Sequence, residues 1–197
     1  MVGLDKDLLD ALGDRVVAIF DLKHAGTVWG IPVIGGDEAW AGYHRDHPLV
    51  RPLLAIDPPL IRRKLAAHYG LELVAGFVAG TARISARARL TETTVVQHNV
   101  YVSADVRIGE GVRIHIGAQL HHDCTIGAFT TIAPRAALMG GVVIGENVYI
   151  GAGAVIKQGI AVGDGAVIGA GAVVIRPVGR GETVAGVPAR PIAKRKA

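Results

Sequence analysis

The sequence predicts a mainly β protein: a three-sided prism of short parallel strands, preceded by a small α/β unit. Three observations predict it. Residues 78 to 179 divide into seventeen hexapeptides, each led by Ile, Leu or Val, from Val78, Ile84 and Leu90 through Ile168 and Val174, without one slip of phase. The fifth residue of each hexapeptide is small or β-branched, as at Ala118, Cys124, Thr130 and Ala136. The fourth is often Gly, Asn or Asp, as at Asn99, Asp105, Gly117, Asp123, Gly141 and Asn147. A period of six fits neither a helix nor a free strand pair, but it fits one strand and one turn per side of a coil. The large leader fills the axis, the small fifth residue fits the narrowing corner, and the fourth tolerates left-handed backbone. Three sides make a coil of 18 residues, so residue n stacks on residue n+18.

Residues 1–77 carry no such phase. Leu8 to Leu12 reads as a short helix, and Val16 to Phe20 as a buried strand ending at Asp21. Ile31 to Ile34 is extended and closed by Gly35-Gly36, after which Asp37 is placed to cap a helix running through Tyr43. Leu53 to Ile56 reads as a second buried strand, and Pro58-Pro59 opens a helix through His68 that Gly70 stops. Strand, helix, strand, helix predicts a small parallel α/β unit. Such units bind ligands past the carboxyl ends of their strands, which marks Asp21 and Asp57 as candidate substrate contacts. A structural cap on the prism is the competing reading of the same segment. Residues 180–197 form a C-terminal tail with the basic run Lys194-Arg195-Lys196.

Composition narrows the function classes. Half the residues are hydrophobic, yet no apolar run reaches the ~20 residues of a membrane span, so no membrane partner is expected and the excess belongs to the repeat core. The start, Met1 to Gly13, lacks the pattern of a secretory signal. The lone Cys124 rules out an internal disulfide and agrees with a reducing, cytoplasmic setting; its fifth-position slot reads as core packing. Aromatic residues are only 5%, too few for a base-stacking platform, and nucleic acid is not an expected partner. The net charge of +4 draws on Arg83, Arg87, Arg89, Arg107 and Arg113, which suits an anionic small ligand or simple solubility.

The chemistry concentrates in Gln119-Leu120-His121-His122-Asp123-Cys124-Thr125. His121 and His122 are second and third in one hexapeptide and lie outside the prism. The stacking rule puts Ala104 below His122 and Gly140 above it, leaving room for a substrate beside the imidazole. A neutral imidazole accepts a proton near physiological pH, and the adjacent Asp123 could orient it. A solvated corner histidine beside a turn aspartate explains the same residues, because His98 shares the slot and Asn99 and Asp105 share that of Asp123.

The segments His122-Asp123-Cys124-Thr125-Ile126-Gly127, Leu138-Met139-Gly140-Gly141-Val142-Val143-Ile144-Gly145, Ile150-Gly151-Ala152-Gly153-Ala154 and Gly186-Val187-Pro188-Ala189-Arg190 carry a family likeness. The chain resembles the hexapeptide-repeat acyltransferases, in particular the sialic-acid O-acetyltransferase and nucleotide-amino-sugar N-acetyltransferase group. The resemblance implies a left-handed parallel β-helix, acetyl-CoA as donor, a homotrimer, and active sites between adjacent prisms. It implies His122 as general base supported by Asp123, and coenzyme A lying along Thr131, Gly140, Ala152 and Ala170, with backbone N–H groups near Gly140 or Gly141 meeting the oxyanion. Against the family's pattern, the α/β unit is truncated: the opening strand and Gly-His-Gly turn are absent, and the chain begins at the following helix. The turn after the second buried strand is Asp57-Pro58-Pro59, whose prolines supply no N–H to a phosphate.

The expected reaction is acetyl transfer to the amine of a nucleotide-linked amino sugar, with a sugar hydroxyl as the near alternative. Two other classes stay open. One is a zinc hydratase of the carbonic-anhydrase kind on the same coil. His98 and His121 have the right separation of 23, but five beyond His121 stands the core residue Ile126, and a catalytic zinc needs three protein ligands, so no metal site is expected. The other is a non-catalytic scaffold.

Overall fold

A computed structural model describes residues 1–192, so the basic run Lys194-Arg195-Lys196 lies outside the described residues. The chain divides into two compact units, one of Met1–Asp57 and Ile61–Ala75, the other of Pro58–Leu60 and the residues from Gly76 onward.

In the first unit, helix α1 (Lys6–Leu12) is capped by Asp5, whose side chain accepts the N–H of Leu8, and it buries Leu8, Leu9 and Leu12. Strands β1 (Ile19–Phe20), β2 (Thr27–Val28) and β3 (Ile31–Gly35) form a sheet in the order β1-β3-β2. Helices α2 (Trp40–Asp46) and α3 (Pro59–Tyr69) follow, the second stopped at Gly70 with φ +83°. Phe20 meets Trp40 and Tyr43 edge-on at 5.6 and 5.4 Å, and Trp40 meets Tyr69 at 5.2 Å, so an aromatic cluster ties strand to helices.

Five expectations for this unit change. The sheet is mixed, since β3 is parallel to β1 but antiparallel to β2. The predicted strand at Val16 to Phe20 shrinks to its last two residues, because the Val16 N–H turns back to the Gly13 carbonyl at 3.1 Å and closes a 3-10 turn instead of joining a ladder. Leu53 to Ile56 forms no strand; only Leu54 pairs, with Val2. Val2 also pairs in parallel with Phe20, so the first residues occupy the position expected to be empty. Asp37 does not cap a helix: it begins a 3-10 turn, and its carboxylate instead accepts the Tyr69 hydroxyl at 2.6 Å. Burial, then that carboxylate, pushes the Tyr69 hydroxyl far above the usual phenol range.

The second unit is a left-handed parallel β-helix. Its two-residue strands consist of the sixth residue of one hexapeptide and the leader of the next. One face stacks Phe77–Val78, Val95–Val96, Arg113–Ile114, Thr131–Ile132, Tyr149–Ile150 and Val167–Ile168. The second stacks Arg83–Ile84, Tyr101–Val102, Gln119–Leu120, Ala137–Leu138, Val155–Ile156 and Val173–Val174. The third stacks Arg107–Ile108, Thr125–Ile126, Val143–Ile144 and Ala161–Val162. Every register step among these strands is 18 residues, as in Gln119 with Ala137; the step shortens to 16 at the end of the coil, where Val167 meets Thr183.

Leaders from Val96 onward are buried, and so are the fifth residues Ala118, Cys124, Thr130 and Ala136. Val78, with no coil stacked below it, is 49% exposed. Positive φ recurs at the fourth position, as in Asn99, Asp105, Gly117, Asp123 and Gly141. It also recurs at Phe129 and Arg135, both at +57°. The coil imposes this conformation even where the side chain disfavours it. The ladder runs past Gly179, where the sequence suggested a tail: Thr183–Ala185 pairs with Val167–Ile168, and Arg190–Pro191 returns antiparallel.

Candidate active site

His122 and Asp123 form the corner between strands Gln119–Leu120 and Thr125–Ile126. Asp123 has φ +61°, and its N–H donates to the Ala104 carbonyl one coil below at 3.1 Å. The left-handed turn brings its carboxylate beside the preceding ring, with Oδ2 2.7 Å from His122 Nδ1. In a neutral imidazole that contact uses an Nδ1–H donor, which leaves the lone pair on Nε2. Both side chains are open to solvent, 58% and 63% exposed.

The coil above completes the corner. Gly141 has φ +68° and donates its N–H to the His122 carbonyl at 2.9 Å. That bond removes the Gly141 N–H from the expected oxyanion donors, because it already serves the ladder. The N–H of Gly140 has no partner among the described residues. Gly140 is not open space above the ring, as the stacking rule suggested. A Cβ there would lie 2.6 Å from both Cε1 and Nε2 of His122, so the imidazole rests on the bare backbone.

The remaining expected cofactor contacts fall elsewhere on the coil. Ala152 and Ala170 are exposed and stacked on the corner between the first and second faces, where the Gly171 N–H donates to the Ala152 carbonyl at 2.8 Å. The second face separates that corner from His122. Thr131 is fully buried, so its side chain does not line an open groove. The structure thus gathers His122, Asp123, Gly140 and Gly141 and leaves Ala152 and Ala170 as a separate small-residue column.

In the first unit the Asp21 carboxylate is occupied locally, whereas Asp57 is held through its backbone carbonyl. Asp21 accepts the N–H of Leu4 at 3.0 Å and of Lys23 at 2.8 Å, and meets His24 Nδ1 at 2.9 Å. Burial would raise its carboxyl, but the His24 and backbone hydrogen bonds outweigh that and hold it below the usual range. The Asp57 carbonyl accepts Arg62 Nη1 at 2.9 Å, beside a second bond from the same nitrogen to the Ile56 carbonyl at 2.7 Å. Arg62 is buried and ties the Ile56-Asp57 corner to α3.

The other histidines of the coil have different work. His98 Nδ1 lies 2.7 Å from the Thr81 hydroxyl, His115 is buried, and His121 stands edge-on to Tyr101 at 6.3 Å. Among the described residues no three His, Cys, Asp or Glu side chains gather as a metal cage. Cys124 is buried in the core, and its thiol approaches the Met139 carbonyl at 3.2 Å. Burial pushes that thiol up, which keeps it protonated and unreactive. No described helix is long and apolar enough to cross a membrane.

Comparison with known proteins gives these features a context. The family model described as bacterial transferase hexapeptide (six repeats) matches residues 105–140, 123–158 and 141–176. A search of curated proteins gave no match. Among solved structures, PerB from Caulobacter crescentus in complex with CoA and GDP-perosamine is 31% identical, with a TM-score of 0.88 over 98% of this chain and 95% of that one. The acetyltransferase domain of PglB from Neisseria gonorrhoeae FA1090 in complex with acetyl coenzyme A is 32% identical, with a TM-score of 0.82 over 89% and 85%. WeeI from Acinetobacter baumannii AYE is 27% identical, with a TM-score of 0.80 over 94% and 92%. With a continuous hexapeptide coil, an imidazole–carboxylate corner and this likeness along nearly its whole length, the chain belongs to the hexapeptide-repeat nucleotide-amino-sugar N-acetyltransferases.

Proposed function

We propose that the protein transfers the acetyl group of acetyl-CoA to the amine of a nucleotide-linked amino sugar, with His122 as general base and Asp123 as its orienting partner. The observation that carries the reading is the 2.7 Å contact between His122 Nδ1 and Asp123, which leaves Nε2 as the proton acceptor on an open corner. Two similar structures, PerB and a variant of GDP-perosamine N-acetyltransferase from Caulobacter crescentus, hold CoA and GDP-perosamine together.

In this reading Nε2 takes the proton of the acceptor amine as its nitrogen attacks the thioester carbonyl. The C–N bond forms, the C–S bond breaks, and the imidazolium returns the proton to the departing sulfur. Asp123 stabilises the imidazolium in between, as a carboxylate does for any base that becomes charged in the transition state. The unpaired Gly140 N–H is the backbone donor placed beside His122 for the developing oxyanion. Gly140 and Gly141 beside the base, and the Ala152–Ala170 column facing from an adjacent prism, carry little or no side chain and suit the thin pantetheine arm of the donor. Asp21 and Asp57 remain the acidic candidates for the nucleotide, acting from a carboxylate that local hydrogen bonds already orient and from a turn pinned by Arg62.

The protein works in this scheme as a homotrimer in the cytoplasm; a solution mass near three times 20.5 kDa supports the assembly, and a lone protomer removes it. The chemistry is tested with purified protein, acetyl-CoA and a panel of nucleotide amino sugars including GDP-perosamine, following free thiol release and the mass of the product. Thiol release without an acetylated sugar, or an ester in place of an amide, overturns the reading.

A further inference from the structure

Two coils below His122, the same corner carries a cationic pocket that the proposed reaction does not use. A cavity of about 320 Å³ is lined by Ala86, Arg87, Ala88, Arg89, Asp105 and Arg107. Arg89 and Arg107 are bridged in register on adjacent parallel strands of the third face. Like charges directly paired across a ladder are destabilising. Arg87 adds a third guanidinium from the corner, at a fourth position where Asn, Asp or Gly is the commoner residue. None of the three guanidinium groups, nor the Asp105 carboxylate among them, has an ion-pair or hydrogen-bond partner among the described residues. All three arginines are exposed, so the core does not require them. A surface needing only solubility would disperse such charges; here three converge on one cavity, and one carboxylate leaves a net positive site.

The cavity also has a fixed relation to the base. Ala86, Ala104 and His122 occupy one column of the coil, through the registers Arg83 with Tyr101 and Tyr101 with Gln119. Two coil steps of about 4.8 Å place the pocket roughly 10 Å from the imidazole. Ala86 and Ala104 leave the path between them clear of bulky side chains. We infer that Arg87, Arg89 and Arg107 bind the diphosphate of the nucleotide-linked acceptor and thereby set the sugar amine at His122. Guanidinium groups suit this ligand because their forked donors match phosphate oxygens two at a time. The span from pocket to base is that of a glycosyl diphosphate with its hexose ring. The inference rests on the acetyl-transfer reading for the identity of the sugar, but not for the phosphate site itself.

Binding, read without turnover, tests it. Calorimetric titration of the full-length protein and of Arg87→Gln and Arg107→Gln, with GDP, inorganic pyrophosphate and CoA as probes, is compared with Arg180→Ala, an exposed arginine outside the pocket. Each pocket variant is expected to weaken GDP and pyrophosphate about tenfold or more, to leave CoA unchanged, and to melt at or above the wild-type temperature, Arg107→Gln above it because the like-charge pair is relieved. Arg107→Lys, a point charge without the fork, is expected to recover only part of the loss. Wild-type affinity for GDP and pyrophosphate in both variants overturns the inference. A loss confined to CoA also overturns it, by assigning the pocket to the donor's diphosphate. An arginine-dependent GDP site in a protein that acetylates no nucleotide sugar would uphold the phosphate site while defeating the proposed function, so the two failures are distinguishable.

Discussion

His122 lies on Gly140, with its Cε1 and Nε2 atoms only 2.6 Å from where a Cβ at that glycine would stand. The ring is held from the coil above by this contact and at its side by Asp123. A base defined from two directions is preorganised, and Nε2 has little freedom to turn from its substrate.

Gly140→Ala tests that arrangement. The new methyl meets the end of a side chain rather than backbone, so the ring swings aside and the coil survives. Turnover is expected to fall by about 10²-fold, as for a roughly 1 Å misplacement of a catalytic group, with the melting temperature nearly unchanged. Full activity in this variant would show that the ring position does not matter.

His122→Ala removes the proton acceptor. Turnover is expected to drop by about 10² to 10⁴-fold, while CoA affinity, measured by calorimetry, stays at the wild-type value. An active variant would remove His122 from the mechanism.

Asp123→Asn is the informative change at the partner, because Asn tolerates the φ of +61° that an alanine would resist. The amide no longer favours the imidazolium and can hold the wrong tautomer. A smaller loss of turnover than for His122→Ala is expected, with unchanged stability. If the two variants fold alike and Asp123→Asn turns over normally, the carboxylate is only a turn residue.

Asp21 makes stability depend on acid. Its folded carboxyl is held below the ordinary range by His24 and by the N–H groups of Lys23 and Leu4, despite burial acting the other way. A depressed folded value means the stabilisation is complete above the unfolded value and is lost as pH falls through the folded one. Urea unfolding at about pH 7 and about pH 3 should show wild-type protein losing more stability on acidification than Asp21→Asn, which is already weaker at the higher pH. Equal acid sensitivity of the two proteins would sink this account.

Leu138 is a fully buried leader at the middle of the coil. Leu138→Ala is expected to cost about 2–5 kcal/mol, the range for a buried aliphatic truncation, read as a lower urea midpoint. A change below about 1 kcal/mol would mean that neighbouring coils collapse into the space.

The prism was legible because its contacts are local. Each leader packs on residues six and eighteen positions away, so the phase of Val96, Ile114, Ile132 and Ile150 states burial, register and turn positions together. The pairing of Asp123 with His122 was legible for the same reason, being one residue apart. Stacking also brought Arg107 over Arg89, although in sequence the arginines read only as diffuse charge.

The first unit was legible in its helices and not in its sheet. α1 and α3 carry their own caps, breakers and apolar spacing, which are short-range signals. The pairing of Val2 with Leu54 spans 52 positions, and no local pattern distinguishes it from other apolar pairs. Asp37 had every local mark of a helix cap, yet the Tyr69 hydroxyl 32 residues away claimed its carboxylate. By itself, then, the sequence determined the coil, its 18-residue register and the corner that carries the imidazole. The tertiary structure alone decided that Gly140 supports the ring, that Gly141 gives its N–H to the ladder and that Thr131 is enclosed. Periodicity says which way a side chain points; only packing says what stands close enough to touch it.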